Sequence, residues 1–178
     1  MYNNTEFNKK LNEFIYGDKR IALVKGYINE HKLISVLKAL NNSPYTKGTI
    51  QPRSIGNLKQ IVDNRIIPKH IKQNANFKLS NLTLQVNLYE RNNTHHGDFA
   101  IYYPVESALI IERDSAKLIN HINNNPVSKI FIITTNDWGF NTHNLEKIVD
   151  EIITYDLKQE DPEQYEILHN NTNGDLPY

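Results

Sequence analysis

Residues 21–40 read IALVKGYINEHKLISVLKAL, and this stretch decides the fold class. Its first four residues are a short continuous apolar run, which is typical of a buried strand. Gly26 allows a tight turn and Asn29 is suited to cap a helix. The next apolar residues recur at helical spacing, at Leu33, Val36, Leu37 and Leu40. A strand, a tight turn and a helix in this order predict the first unit of an α/β fold.

The rest of the chain continues this pattern. Apolar and polar side chains alternate over residues 82–88, which is typical of a half-buried strand. Further strands are predicted at 99–103, 108–111 and 129–133, and helices at the amino terminus, near 115–122, at 143–154 and from Pro162. The sequence therefore predicts one α/β domain over residues 1–169, with a single mixed sheet flanked by helices. Residues 170–178 are expected to be a flexible tail.

The two halves of the chain carry opposite charge. Residues 1–80 hold 14 Lys+Arg against 5 Asp+Glu, a net charge of +9, and residues 81–178 hold 6 against 15, a net charge of −9. Much of the positive charge lies in the loop-prone segment 43–76, whose one acidic residue is Asp63. A basic segment of this kind predicts an anionic partner, and nucleic acid is the usual one. The side chains expected to contact phosphates are Lys47, Arg53, Lys59, Arg65, Lys69 and Lys72.

Composition excludes several classes of site. The chain contains no Cys, so disulfides, thiolate metal sites and Cys nucleophiles are ruled out. The sequence shows no apolar stretch of signal-peptide character and none long enough to span a membrane. We therefore expect a cytoplasmic protein without a membrane partner.

A cluster of candidate catalytic residues lies at Thr94-His95-His96-Gly97-Asp98. His96 and Asp98 are two positions apart and would share one face of a strand. Together they could bind a divalent metal, or act as nucleophile and base in phosphodiester hydrolysis. Glu112, after the following predicted strand, is the third catalytic candidate. The alternative is a polar loop with solvated histidines, so enzymatic activity stays open.

Trp138 is a candidate base contact. It stands in the loop Asn136–Asn141 after the predicted strand 129–133. An indole at the end of a strand can stack on a nucleobase. The same loop also fits an ordinary strand-to-helix connection whose Trp covers the core.

Residues 20–115 resemble one half of a phospholipase D-like nuclease domain. The resemblance rests on residues 23–28, on residues 86–90, on His96-Gly97-Asp98 in the place of the family's His-x-Lys motif, and on Ser107-Ala108-Leu109-Ile110-Ile111. It implies that His96 attacks phosphorus while a lysine neutralises phosphate charge. Asp98 stands where that lysine is expected, and a carboxylate there would repel the phosphodiester. The resemblance therefore implies either a non-catalytic relative or a site remade around a divalent metal.

Two functions remain open. The first is nucleic-acid binding, with or without phosphodiester hydrolysis, in microbial DNA or RNA processing, mobile elements or defence. The second is a non-catalytic interaction module whose charged halves bind a protein partner or a second copy, the acidic half acting as a nucleic-acid mimic. Cations gathered on one face would favour the first function. Cations dispersed over the molecule, or neutralised by the later carboxylates, would favour the second.

Overall fold

The computed structural model describes residues 1–91 and 97–178. Within these ranges the helices are α1 Asn4–Tyr16, α2 Asn29–Asn41, α3 Ile55–Ile61, α4 Glu106–Leu109, α5 Glu112–Asn123, α6 His143–Glu146, α7 Leu157–Glu160 and α8 Pro162–Asn171. The strands are β1 Ile21–Lys25, β2 Lys47–Ile50, β3 Asn76–Leu79, β4 Leu82–Val86, β5 Phe99–Tyr102, β6 Lys129–Ile133 and β7 Glu151–Thr154. No helix in these ranges has both the length and the hydropathy that a membrane crossing requires.

The strands form one seven-stranded sheet in the order β3-β4-β2-β5-β6-β1-β7. All neighbours are parallel except β3, which runs antiparallel to β4. The register places Val24 opposite Ile133 at the carboxyl end of β1. This confirms the prediction of an α/β fold with a single mixed sheet.

Apolar side chains hold helices against both faces of the sheet. One face carries a buried cluster that includes Phe7 and Leu11 of α1, and Leu33 of α2. The other face packs against α5 through Leu118 and Ile122. Fully burying a side chain of this size contributes about 1.5–3 kcal/mol, so the two clusters fix the helices on the central strands.

The prediction of one helix over residues 143–154 is wrong. Helix α6 ends after four residues, and the chain then forms β7, which pairs in parallel with β1 so that Leu23 lies opposite Ile152. The apolar residues between 145 and 153 fit a helical stripe, but most of them are β-branched and suit a strand equally well. Pairing with β1, which is distant in the sequence, decides between the two.

The strand predicted at 108–111 is also wrong. Residues Glu106–Leu109 form α4, and α5 begins at Glu112. Ile110 and Ile111 are 74% and 52% exposed, so neither takes the buried position that a central strand would give it. The central position between β2 and β6 is instead filled by β5, whose run ends before Pro104.

The basic segment 43–76 is predicted to be mostly loop with short helices near 58–62 and 67–71, and it contains a strand that this prediction lacks. It supplies β2, which lies inside the sheet between β4 and β5, and the helix α3. Farther along the chain, Asp161 caps α8 and Pro162 occupies its first turn, as predicted. Beyond α8 the ring of Tyr178 stacks on that of Tyr27. The domain boundaries at 169–170 and the flexibility of the tail stay predictions.

Candidate nucleic-acid interface

The strand order separates the charges of the chain in space. Residues 47–86 supply the three strands at one end of the sheet, and residues 143–178 supply β7 at the other end. Residues 47–86 contain seven Lys+Arg and one acidic residue, whereas residues 143–178 contain two Lys+Arg and nine Asp+Glu. Strands spaced by about 4.8 Å place β3 about 29 Å from β7. Since the Debye length is about 8 Å at physiological ionic strength, the two charged ends act independently.

Helix α3, the connection 62–75 and strand β3 form what we call the basic end of the sheet. Its exposed lysines, for which the described residues offer no ion pair, are Lys59, Lys69, Lys72 and Lys78. Arg65 is also exposed and pairs with Asp63 at 2.9 Å. Lys69, His70 and Lys72 border one cavity of about 360 Å³ beside β3. Part of the cationic charge therefore converges on one concave surface.

Buried neighbours hold these lysines in place. Leu58, Ile71 and Phe77 are at most 9% exposed, and each directly precedes an exposed lysine. The apolar side chains join the main buried cluster on the face covered by α2. The backbone of the basic end is thus anchored while the lysine side chains extend into solvent.

Arg53 does not belong to this exposed set. Its Nη2 lies 2.7 Å from Oδ2 of Asp114 and its Nε lies 3.0 Å from Oε1 of Glu90. Its Nη1 also donates a 2.7 Å hydrogen bond to the carbonyl oxygen of Ser107. Two carboxylates of the acidic half of the chain therefore neutralise Arg53, and its guanidinium is committed to the protein.

The Arg53 cluster lies where the topology of the sheet reverses. Strands β2 and β5 are neighbours in the sheet. The chain continues from β2 to β3 on one side of this pair, and from β5 to β6 on the other side. In open α/β sheets ligands bind outside the carboxyl ends of such strand pairs. Here the ion pairs of Arg53 with Asp114 and Glu90 occupy the space outside the carboxyl ends of β2 and β5. They link the segment after β2 to α5.

Lys47 lies at the amino end of β2, opposite the end at which Arg53 lies. It opens β2, is exposed, and borders a cavity of about 330 Å³ together with Asn76, Thr83 and Gln85. Parallel strands are usually apolar on both faces. This face of β2, β4 and β3 is polar instead, so amide and hydroxyl groups lie beside the cations of the basic end.

The structure places Asp98 and Glu112, two of the three catalytic candidates, at opposite ends of β5. Asp98 precedes β5 at its amino end, where its Oδ2 accepts hydrogen bonds from the backbone N–H groups of Thr46 at 3.0 Å and Lys47 at 3.1 Å. Glu112 opens α5, beyond the carboxyl end of β5. His96 lies outside the described residues. Among the residues that are described, no three His, Asp or Glu side chains are grouped so that they can hold a metal ion.

Trp138 lies away from the basic end. It follows β6, is half-buried, and packs against the core with its ring centroid 5.9 Å from that of Tyr27. Strand β6 is four positions from β3 in the sheet, or about 19 Å. A nucleic acid bound at the basic end would have to cross this distance to reach the indole.

Lys78 extends the cationic set beyond the range that the sequence pattern indicates. The basic segment predicted from the sequence ends at residue 76, but no acidic residue occurs from 64 to 89. This wider gap in acidic residues is the signal that identifies Lys78. Its exposure at the sheet edge could be known only once β3 was placed there.

Comparison with known proteins does not assign a family. No family model matches the chain, and no curated protein matches it. Among solved structures, the C-terminal domain of a possible DNA helicase from Lactobacillus plantarum WCFS1 is similar over 87% of this chain and 99% of that one, with a TM-score of 0.48 and 10% identity. A likeness of this degree says nothing about function. The resemblance to phospholipase D-like nucleases gains no support from these comparisons.

Proposed function

We propose that this protein binds a nucleic-acid backbone through the basic end of its sheet. The observation that carries the proposal is the set of four exposed lysines, Lys59, Lys69, Lys72 and Lys78, on a part of the molecule with almost no carboxylates. Each lysine that neutralises a phosphate releases condensed counterions, and this release favours binding. The setting in microbial DNA or RNA processing, mobile elements or defence stays a prediction.

The polar face beside the lysines supports the same proposal. Asn76 and Gln85 are joined by a 2.7 Å hydrogen bond and border the cavity that Lys47 also borders. Side-chain amides donate and accept hydrogen bonds with sugars and base edges, whereas lysines contact phosphates. A nucleic-acid strand bound along the lysines would contact these amides at the same end of the sheet.

Binding of labelled oligonucleotides tests the proposal. Fluorescence anisotropy is measured with single-stranded and duplex DNA and RNA across a salt series, and with a labelled polyglutamate peptide as a matched polyanion. We expect binding at low salt that weakens steeply as salt rises, and weaker binding of the peptide. Absence of oligonucleotide binding at low salt would refute the proposal.

Association through opposite charges is the second candidate function. It is favoured by one observation, the separation of a basic end from an acidic end that includes Glu151 of β7 and the helix α8. Two copies could then meet end to end. Sedimentation at low and high salt tests this: salt-sensitive self-association without oligonucleotide binding would favour it over the first candidate.

If the bound nucleic acid is also hydrolysed, we propose that the hydrolysis depends on His96 and Asp98 with a divalent metal. The support is the position of Gly97 and Asp98 beside Lys47, because Gly97 borders the same polar cavity. The variant His96→Ala should then lose cleavage of a bound oligonucleotide while keeping its thermal stability. Unaltered cleavage in this variant, or no cleavage with any divalent ion, would exclude the site.

A further inference from the structure

A stacked pair of aromatic rings lies at the carboxyl end of β1. Tyr27 follows Gly26, whose backbone φ of +138° is one that residues other than glycine rarely adopt. The rings of Tyr27 and Tyr178 are nearly parallel, with centroids 4.8 Å apart and an interplanar angle of 23°. The hydroxyl of Tyr27 also exchanges hydrogen bonds with the backbone of Tyr178. Tyr178 therefore contacts Tyr27 through both its ring and its backbone.

The edge of the Tyr178 ring meets a buried carboxylate. Asp137 is 5% exposed, and its Oδ2 accepts a 2.6 Å hydrogen bond from the backbone N–H of Gly26 and another from the hydroxyl of Tyr178. The other oxygen, Oδ1, is buried and has no hydrogen-bond partner among the described residues. Burial raises the pKa of Asp137. A buried acceptor without a partner is costly, so this carboxylate is suited to a further donor.

Open space adjoins this carboxylate. Asp137 borders a cavity of about 240 Å³ whose other lining residues are Lys25, Phe140, Asn141, Thr142 and Pro177. Lys25 Nζ also lies 5.6 Å from the centroid of the Tyr178 ring. The cavity lies outside the carboxyl ends of β1 and β6, the edge at which ligands bind in open α/β sheets.

We propose that Tyr178 occupies a nucleobase site, and that a guanine base replaces it by stacking on Tyr27 and donating to Asp137. The phenol supplies a planar ring with a single donor, which leaves Oδ1 without a partner. The edge of guanine carries two adjacent N–H donors and therefore satisfies both carboxylate oxygens. Adenine presents an acceptor nitrogen beside its one amino group, and that acceptor would face the carboxylate. The site therefore discriminates between the two purines.

This site is separate from the basic end, so its test does not depend on the proposed backbone binding. Trp138 is the one tryptophan of the chain and its ring lies 5.9 Å from Tyr27, so its fluorescence reports on the site. Guanosine 5′-monophosphate and adenosine 5′-monophosphate are titrated into the wild-type protein and the variant Tyr178→Ala. The matched control is Tyr16→Ala, because Tyr16 is 63% exposed and lies at the end of α1, away from Tyr27 and Asp137.

We expect Tyr178→Ala to bind the guanine nucleotide about tenfold more tightly than wild type, because the ligand no longer displaces the tyrosine. Tyr178→Phe keeps the stack and loses the hydroxyl, so its affinity should fall between the two. The isosteric variant Asp137→Asn should lose the preference for guanine over adenine. Equal binding of the two nucleotides, or an unchanged guanine affinity in Tyr178→Ala, would overturn the proposal. Neutralising Lys69 and Lys72 should leave these titrations unchanged, which separates this proposal from that of backbone binding.

Discussion

Neutralising two lysines of the basic end should change the salt dependence of oligonucleotide binding by a calculable amount. If Lys59, Lys69, Lys72 and Lys78 each neutralise one phosphate, log K falls against log salt with a slope of about −2.8 on a single strand and about −3.6 on a duplex. Between about 50 and 200 mM salt the affinity then falls about 50- to 150-fold. The double variant Lys69→Gln/Lys72→Gln retains half of these contacts, so its affinity should fall only about 7- to 12-fold over the same range.

Anisotropy titrations at four or more salt concentrations measure both slopes. The matched control is Lys147→Gln/Lys158→Gln, which removes the same charge from exposed lysines at the acidic end. That control should keep the wild-type slope, since its lysines lie several Debye lengths from the basic end. Equal slopes for wild type and the Lys69/Lys72 variant would refute the placement of the interface, even if the protein binds oligonucleotides.

Three further changes test contacts within the fold. Asp98→Ala removes the acceptor of two backbone hydrogen bonds, so urea denaturation should show a loss of about 1–3 kcal/mol; an unchanged midpoint would contradict this role. Arg53→Ala removes the cation nearest the buried carboxylate of Asp114 and leaves Arg113 and Lys117 at 3.8 and 3.9 Å from its Oδ1, so it should cost about 1.5–3 kcal/mol in the free energy of unfolding. A loss no larger than that of a surface ion pair would contradict it. Burial lowers the pKa of Lys32 from 10.5 to about 8, so between these pH values the unfolded chain holds a proton that the folded protein has released. The free energy of unfolding should therefore rise with pH in this interval relative to that of Lys32→Met, and parallel pH profiles for the two proteins would exclude the shift.

The structure shows why the two erroneous strand and helix predictions arose. The stripe from Leu145 to Ile153 has helical spacing, and the run Ala108–Ile111 has the composition of a strand. Neither pattern contains information about which partner is available. Strand β7 forms because one edge of β1 is available to it. The run 108–111 has no such edge, because β5 already lies between β2 and β6; it instead comprises the end of α4 and two exposed residues.

The candidate residues also show that a local pattern does not reveal contacts between distant segments. Charge alone predicts Lys59, Lys69 and Lys72 of the basic end, because a long gap in acidic residues is visible in the sequence, whereas Lys78 joins them only through the position of β3. Arg53 belongs to the same gap, yet it is bound by Asp114, which lies 61 residues away in the chain. The contact between Tyr178 and Asp137 spans 41 residues, and no local pattern indicates it.

By itself, the sequence determined the α/β class, the main strands and the opposition of charge between its halves. Hydrophobic periodicity and composition are local quantities, and they are sufficient for such conclusions. Only the tertiary structure decided which strands are neighbours, and hence that the charges lie at opposite ends of one sheet. It also decided that Arg53 is neutralised, that the lysines around β3 have no ion pair within residues 1–91 and 97–178, and that Tyr27, Asp137 and Tyr178 meet. These outcomes depend on pairing between distant segments, where the free energy comes from contacts that no single stretch of chain contains.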